Sequence, residues 1–437
     1  MIANETIGLL GIVVMLILLA LGMPIGIAML LVGAVGFAIV HPAGVPATLH
    51  MLGSSPYSYS AFYELAVIPL FVLMGNLGAA SGMASSLFAA AYAWIGHWRG
   101  GLSHATIVAC AGFAAVSGSS VASAVTMGKI CLPEMLRYKY DARLATGTVA
   151  AGGTLGILIP PSTAFVIYAL LTEQSIGRLF LAGILPGFLL AAIFMTTVAI
   201  WMRFKPQYGP ASPRASWVER RRSLGQATPM LTIVLISIGG IYVGAFTPVE
   251  AASVGAFLAL LYALWRRALT PHSFLENLLD TVRTTSFVFL ILIGALVFGP
   301  FLALSGLPEA IATWLSGLDV PRVMILIIVL AVYIVLGTWM EGFSMLVLTL
   351  PIVIPIMKAL NYDLIWFGVM MVIVLEMGLI DPPVGINVFV VKGLVPDVPV
   401  GQIFAGVLPF WFAMMVCIAI LIMFPEIALF IPNTMIH

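Results

Sequence analysis

Apolar runs of membrane-spanning length recur along the chain, separated by short stretches rich in proline, glycine and charge. In the first half they cover residues 7–21, 25–40, 65–80, 103–135, 142–171 and 179–202. About 20 apolar residues suffice for a helix to cross a bilayer's hydrocarbon core. The pattern predicts a bundle of membrane-spanning helices. His41, Pro42, Pro46 and Pro56 mark a loop before the third run. Residues 87–98 are apolar and aromatic but end in Gly96, His97, Trp98 and Arg99. That suits either a short span or a helix lying in the membrane interface. The second half repeats the scheme at 229–246, 249–265 and 283–304, then an interfacial segment to 318, then 323–357, 363–393 and 403–424.

Two runs are interrupted in the same way. Residues 152–162 read GGTLGILIPPS, and residues 376–385 read EMGLIDPPVG. Pro160 and Pro161 recur 222 positions later as Pro382 and Pro383; the same shift carries Gly156 to Gly378 and Tyr140 and Asp141 to Tyr362 and Asp363. Proline has no N–H and cannot continue a helix, so each span should break near its middle. Unwound backbone at that depth is tolerated only where it lines a cavity or is buried in protein. Paired breaks in corresponding halves point to a transporter's binding site.

Two further stretches look like helical hairpins dipping partway into the membrane. The first, 103–135, has the small polar centre VSGSSVASAVT and an expected tip at 117–120; a continuous span is the plainer alternative. The second, 323–357, is interrupted by GTWMEGFS, with an expected tip at 337–342. The serines Ser117, Ser119, Ser120 and Ser123 would supply ligands or simply allow close helix packing. Ionisable residues inside apolar runs are functional candidates: Lys129, Glu341, Glu376 and Asp381. Lys129 has the alternative of snorkelling to the interface, and Glu376 that of a structural pair.

Composition agrees. Of 437 residues 62% are hydrophobic and 8% charged, against about 25% charged in soluble proteins. The net charge of +1 gives no reason to expect nucleic acid as a partner. Three cysteines in apolar runs offer no disulfide framework, and six histidines no metal spacing. The first run lacks a basic flank and a cleavage site, so it is expected to be a retained span. The longest polar segment, 203–228, holds six Lys and Arg residues and is expected to face the cytoplasm. It divides the chain into repeats at 1–202 and 229–437. On that assignment fourteen basic residues fall inside, Arg178, Arg322 and Lys358 fall outside, and Lys129 lies in the first hairpin. Five full crossings per half invert the second repeat and place both termini outside. An intramembrane enzyme would need an acid pair, a Ser/His pair or a metal set at one depth, and the sequence offers none. A passive channel stays open as an alternative, since inverted repeats with re-entrant hairpins also occur in channels.

Three stretches carry a resemblance: SGSSVASAVTMGKICLPEM from Ser117, GGTLGILIPPSTAFVIYALLTEQSIGRLFLAGILPG from Gly152, and GLIDPPVGINVF from Gly378. Together they resemble the large membrane subunit of the tripartite ATP-independent periplasmic (TRAP) transporters. The resemblance implies an all-α, multi-pass protein of a bacterial inner membrane, of the elevator type: a scaffold plus a moving domain of two hairpins and two broken helices. It implies sodium-driven uptake of an organic acid delivered by a soluble periplasmic binding protein, with a small four-helix membrane subunit as a separate chain and no other cofactor. Carried over by motif, one sodium site uses Ser117, Gly156, Ile159 and Pro161, and the other Gly337, Gly378, Asp381 and Val384. Ser119, Ser120, Pro160, Ser162, Gly342, Pro382 and Pro383 are candidates for substrate contact. Where the family reads TPP, this chain has Asp381 before its proline pair. A carboxylate there serves sodium binding or proton coupling.

Overall fold

The computed structural model describes residues 3–317 and 320–435, and every regular element among them is helical. The first half contains α1 (Asn4–Ala20), α2 (Ile25–Val40), α3 (Gly44–Ser60), a short 3-10 turn at Tyr63–Ala66, α4 (Val67–Ala80) and α5 (Met83–Ile95). Then come α6 (Gly101–Ser117), α7 (Ser120–Arg137), α8 (Ala142–Leu158), α9 (Thr163–Thr172) and α10 (Ile176–Phe204). The second half opens with α11 (Trp217–Tyr242), α12 (Pro248–Trp265), α13 (Pro271–Ser305) and α14 (Leu307–Ser316). It continues with α15 (Arg322–Gly337), α16 (Gly342–Ala359), α17 (Leu364–Gly378), α18 (Ile386–Leu394), α19 (Val400–Met423) and α20 (Glu426–Asn433). Seven described helices are long and apolar enough to cross a membrane, and α8 with α9, bent by 41°, makes an eighth if taken as one span.

The helix pairs α6 with α7 and α15 with α16 are the two hairpins, and neither interrupted stretch is a continuous helix. The turns leading into the two broken spans match residue for residue. Lys139 and Asn361 are both left-handed, with φ of 58° and 55°. The N–H groups of Tyr140 and Tyr362 each donate back to a carbonyl five residues earlier, Met135 and Met357, at 3.0 Å. That is the bond pattern of a Schellman helix end. Asp141 and Asp363 then cap α8 and α17: Asp141 accepts from the Arg143 N–H at 2.9 Å, and Asp363 from Ile365 and Trp366 at 2.8 and 3.0 Å. Both helices are buried along nearly their whole length and run through the centre of the molecule.

The structure departs from the sequence expectations in four places, one being α13, which starts at Pro271 behind a Thr270 cap rather than at 283. The loop expected after His41 holds α3. Pro46 falls in its first turn, where proline costs nothing, and packing on α2 and α13 carries the helix through Pro56. The polar stretch 203–228 is only partly a linker: α10 runs to Phe204 and α11 starts at Trp217. A capping box starts α11 early, with Ser216 N–H donating to Glu219 at 2.7 Å and Glu219 N–H returning to Ser216 Oγ at 3.2 Å. A short α20, absent from the expectations, follows the last long span. The expected end of the interfacial segment, Leu318, lies outside the described residues.

Candidate functional site

At the first break the last bond of α8 runs from the Ile159 N–H to the Leu155 carbonyl at 3.1 Å. Pro160 and Pro161, joined by a cis bond, follow it. Lacking N–H groups, they leave the Gly156 and Ile157 carbonyls without helical donors. Ser162 restarts the helix by accepting from the Phe165 N–H at 3.2 Å. All of these residues are buried.

The first hairpin tip closes on this break. Ser117 Oγ donates to the Ser119 carbonyl at 3.1 Å, Gly118 turns through a φ of 61°, and the Ser119 side chain caps α7 by accepting from Ala122. Thr163, first residue of α9, donates to the Gly118 carbonyl at 3.2 Å. A Cβ placed on Gly156 would lie 2.7 Å from both the Ser119 carbonyl oxygen and Ser123 Oγ. Only glycine allows the tip so close. Ser117, Ser119, Ser120, Gly156, Pro161 and Ser162 thus come together. The side chains of Ile159 and Pro160 do not join them; they line a separate apolar crevice toward α10.

The second half repeats the contact with a longer break. A Cβ on Gly378 would lie 2.8 Å from the Gly337 carbonyl oxygen, so α15 and α17 end against each other. Seven residues, 379–385, separate α17 from α18, against four, 159–162, in the first break. The Asn387 N–H closes this loop on the Leu379 carbonyl at 2.9 Å. Pro382 and Pro383, also cis, are exposed, as is Val384; Asp381 is half-buried, beside the Trp411 indole of α19. No acceptor meets the indole Nε1 in hydrogen-bond geometry among the described residues, and Asp381 is the polar group it faces. The structure therefore brings Gly337 and Gly378 together but leaves residues 381–384 out of the cavity described next.

A cavity of about 470 Å³ lies between the two hairpin tips. Ser117, Ser119 and Ser120 line it from the first half; Glu341, Gly342 and Glu376 line it from the second. Glu341 caps α16, its Oε2 accepting from the Ser344 N–H at 2.9 Å and Ser344 Oγ at 3.0 Å. Glu376 is 1% exposed, and its Oε2 accepts from Ser120 Oγ at 2.6 Å. The first residues of α7, α9, α16 and α18 all reach the cavity wall. Helix N-termini carry partial positive charge and unpaired N–H groups, and these four face a wall that also carries the Asp280, Glu341 and Glu376 carboxylates. Lys129 is exposed and does not line it.

Three lining or adjoining residues escaped the sequence reading. Asn76 of α4 lines the cavity and donates to Thr281 Oγ1 at 3.1 Å, which ties α4 to α13. Asp280, also on α13, reaches the cavity and pairs with Arg283 at 3.2 Å. Asn387 is fully buried and donates to the Ala150 carbonyl at 3.3 Å. A polar amide in an apolar run was the available signal for Asn76 and Asn387. No group of three or more His, Cys, Asp or Glu side chains suited to a metal occurs among the described residues. The oxygens available to a hard cation are instead backbone carbonyls and serine hydroxyls at the breaks. At the cytoplasmic end assigned from sequence, Tyr140 accepts from the Leu102 N–H at 3.1 Å and donates to the Pro210 carbonyl at 3.0 Å. Burial pushes this phenol up to about 12.

Residues 12–427 match the family described as Tripartite ATP-independent periplasmic transporter, DctM component. The C4-dicarboxylate TRAP transporter large permease protein DctM of Pseudomonas aeruginosa is 38% identical over 389 residues, covering 89% of this chain and 90% of its own. The sialic acid TRAP transporter large permease protein SiaM of Vibrio cholerae is 36% identical over 419 residues, covering 95% and 96%. Among solved structures, the Alcanivorax borkumensis YdaH transporter matches with a TM-score of 0.63 at 15% identity, over 87% of this chain and 90% of that one. That likeness is one of fold.

Proposed function

We propose a function from one premise: the chain belongs to the DctM component family of the tripartite ATP-independent periplasmic transporters. It is the large permease of a secondary uptake system in a bacterial inner membrane. Its cargo is an organic acid, handed over by a periplasmic binding protein, and a small membrane subunit completes the complex. The relatives named for C4-dicarboxylates and sialic acid bracket the class of carboxylate. The observation that carries the reading is the single cavity where a hairpin tip from each half meets, with four helix N-termini around it. Against the Asp280, Glu341 and Glu376 carboxylates on the same wall, those N-termini, or cations bound at the breaks, supply the positive field a carboxylate needs.

Sodium is the coupling ion in this reading. Carbonyls freed by the prolines, together with Ser117 at one break and Asp381 at the other, offer the oxygen ligands a hard cation takes. The two halves are inverted repeats, and the hairpins with the broken helices move as one body against the remaining helices, carrying the cavity across the membrane. Proteoliposomes holding the permease and the small subunit, with the binding protein outside, test this. Radiolabelled succinate and N-acetylneuraminate are the probes. Saturable accumulation of one of them, only with an inward sodium gradient, is the expected result. Accumulation that follows a proton gradient and ignores sodium overturns the coupling. Rapid equilibration without accumulation would mark a passive channel.

A further inference from the structure

A second cavity, of about 850 Å³, lies between α5, α6, α10 and α11, apart from the one at the hairpin tips. Its α11 wall is one helical stripe from Leu224 through Leu231 to Ile238. The 14 steps from Leu224 to Ile238 span about 21 Å at the α-helical rise, more than one leaflet's share, about 15 Å, of the hydrocarbon core. The facing walls mix small residues such as Ala115 and Ala191 with large apolar ones such as Leu87 and Phe188, and Ile159 and Pro160 of the first break form part of the lining. Protein does not fill it: Leu231 and Leu235 are 46% and 73% exposed.

One end of this bore is polar. One turn before Leu224 on the same stripe stands Arg220. Its guanidinium carbon lies 5.6 Å from the ring of Trp94, a wall residue, and 5.3 Å from that of Trp217. Its Nε donates to the Ala93 carbonyl at 3.2 Å. No hydrogen bond or ion pair engages its terminal nitrogens among the described residues. Arg221 and Arg222 follow, both exposed, and the adjacent Glu219 is engaged in capping Ser216. A cation between two tryptophans at the mouth of a long apolar groove matches one chemistry: a phosphate headgroup with a hydrocarbon tail.

We propose that this crevice is a binding site for one anionic phospholipid of the cytoplasmic leaflet. The phosphate sits at Arg220, with Arg221 and Arg222 adding to the local positive field. One acyl chain lies along the α11 stripe and reaches Ile159 and Pro160. An occupied crevice props α11 against α6 and α10, and the tail touches the reverse face of the break whose other face meets the first hairpin tip. The assignment does not depend on which acid is carried.

Purified full-length permease with its small subunit, stripped of lipid in detergent, is titrated with dioleoylphosphatidylglycerol or dioleoylphosphatidylethanolamine. The readouts are the thermal midpoint and the lipid retained in native mass spectrometry. The half-saturating concentration is expected to be about tenfold lower for the anionic lipid. Arg220→Gln is expected to raise it about fivefold. Ala192→Phe, which projects a ring into the groove from an exposed wall position, is expected to abolish retention while leaving the lipid-free midpoint unchanged. Equal half-saturation for the two lipids overturns the proposal. So does retention unaltered by both substitutions, or disulfide crosslinks, formed with an added mild oxidant between Leu231→Cys and a cysteine introduced on a helix of the small subunit, showing that this helix fills the crevice.

Discussion

The Ser120 hydroxyl, from the first half of the chain, donates a 2.6 Å hydrogen bond to the Glu376 carboxylate of the second. It joins the start of a hairpin arm to the end of a broken helix, on the wall of the cavity between the tips. Both residues are essentially without solvent exposure. A buried acceptor that loses its only donor costs about 1–3 kcal/mol.

Ser120→Ala and Glu376→Gln are each expected to lower uptake, and the double variant is expected to be less impaired than the two losses multiplied. A double-mutant cycle on initial uptake rates should return a coupling of about 0.5–3 kcal/mol, the range for residues in direct contact. Strict additivity would show that the bond does not matter to transport.

Gly156→Ala places a methyl group against the Ser119 carbonyl and Ser123 Oγ, both 2.7 Å away. The hairpin tip has to withdraw. Uptake should fall by about tenfold or more, the effect expected when binding groups are misplaced by about an ångström, and the sodium concentration for half-maximal uptake should rise. Gly225→Ala on α11, where an added Cβ has open space around it, is the matched control and should transport normally. Equal effects from the two variants would remove the close approach from the mechanism.

Asp381→Asn keeps the shape of the second break and removes its charge. Half-maximal uptake should then require more sodium, with the pH profile unchanged. A profile that flattens with pH while the sodium requirement stays constant would make Asp381 a proton carrier. Uptake unchanged in both respects would leave it a rim residue beside Trp411, in keeping with its place outside the cavity.

Tyr140→Phe removes the acceptor for Leu102 and the donor to Pro210. The loss should be about 1–3 kcal/mol of stability, seen as a lower thermal midpoint, with normal uptake per folded molecule. Its phenol is raised to about 12 from an ordinary 10. The folded state therefore holds the proton longer than the unfolded state. The stabilisation is full below pH 10 and is lost as pH rises from 10 toward 12. Between pH 6 and 9 the difference between Tyr140 and Phe should be constant.

Much of this fold is legible because proline and glycine act locally. Pro160, Pro161, Pro382 and Pro383 break their helices whatever surrounds them, and the 222-residue shift is visible in those same residues. The small polar centre of the first hairpin and the GTWMEGFS interruption of the second likewise point to turns, though a continuous span stays open for the first. What escaped depends on partners distant in sequence. The apolar pattern does not pair Ser120 with Glu376, 256 positions away. It says nothing of Asn387 reaching Ala150 across the two halves. Helix α3 was hidden by its prolines, because propensity is local and the packing that overrides it is not. The exposure of Pro382 and Pro383 was hidden for the opposite reason: their motif mirrors a buried one, and only the longer loop around them tells the two apart.

The duplicated turn before α8 and α17 bears on how the protein is made. In each copy the left-handed residue, the returning tyrosine N–H and the aspartate cap lie within a few positions of the helix they start. A nascent chain carries these instructions with it, so each central helix can be initiated as soon as it leaves the ribosome. The wall between the tips is different. It needs residues synthesised more than half a chain apart, and closing so long a loop is paid in chain entropy. Half of this protein can acquire its helices, but the cavity between the tips has no second wall until the other half has arrived.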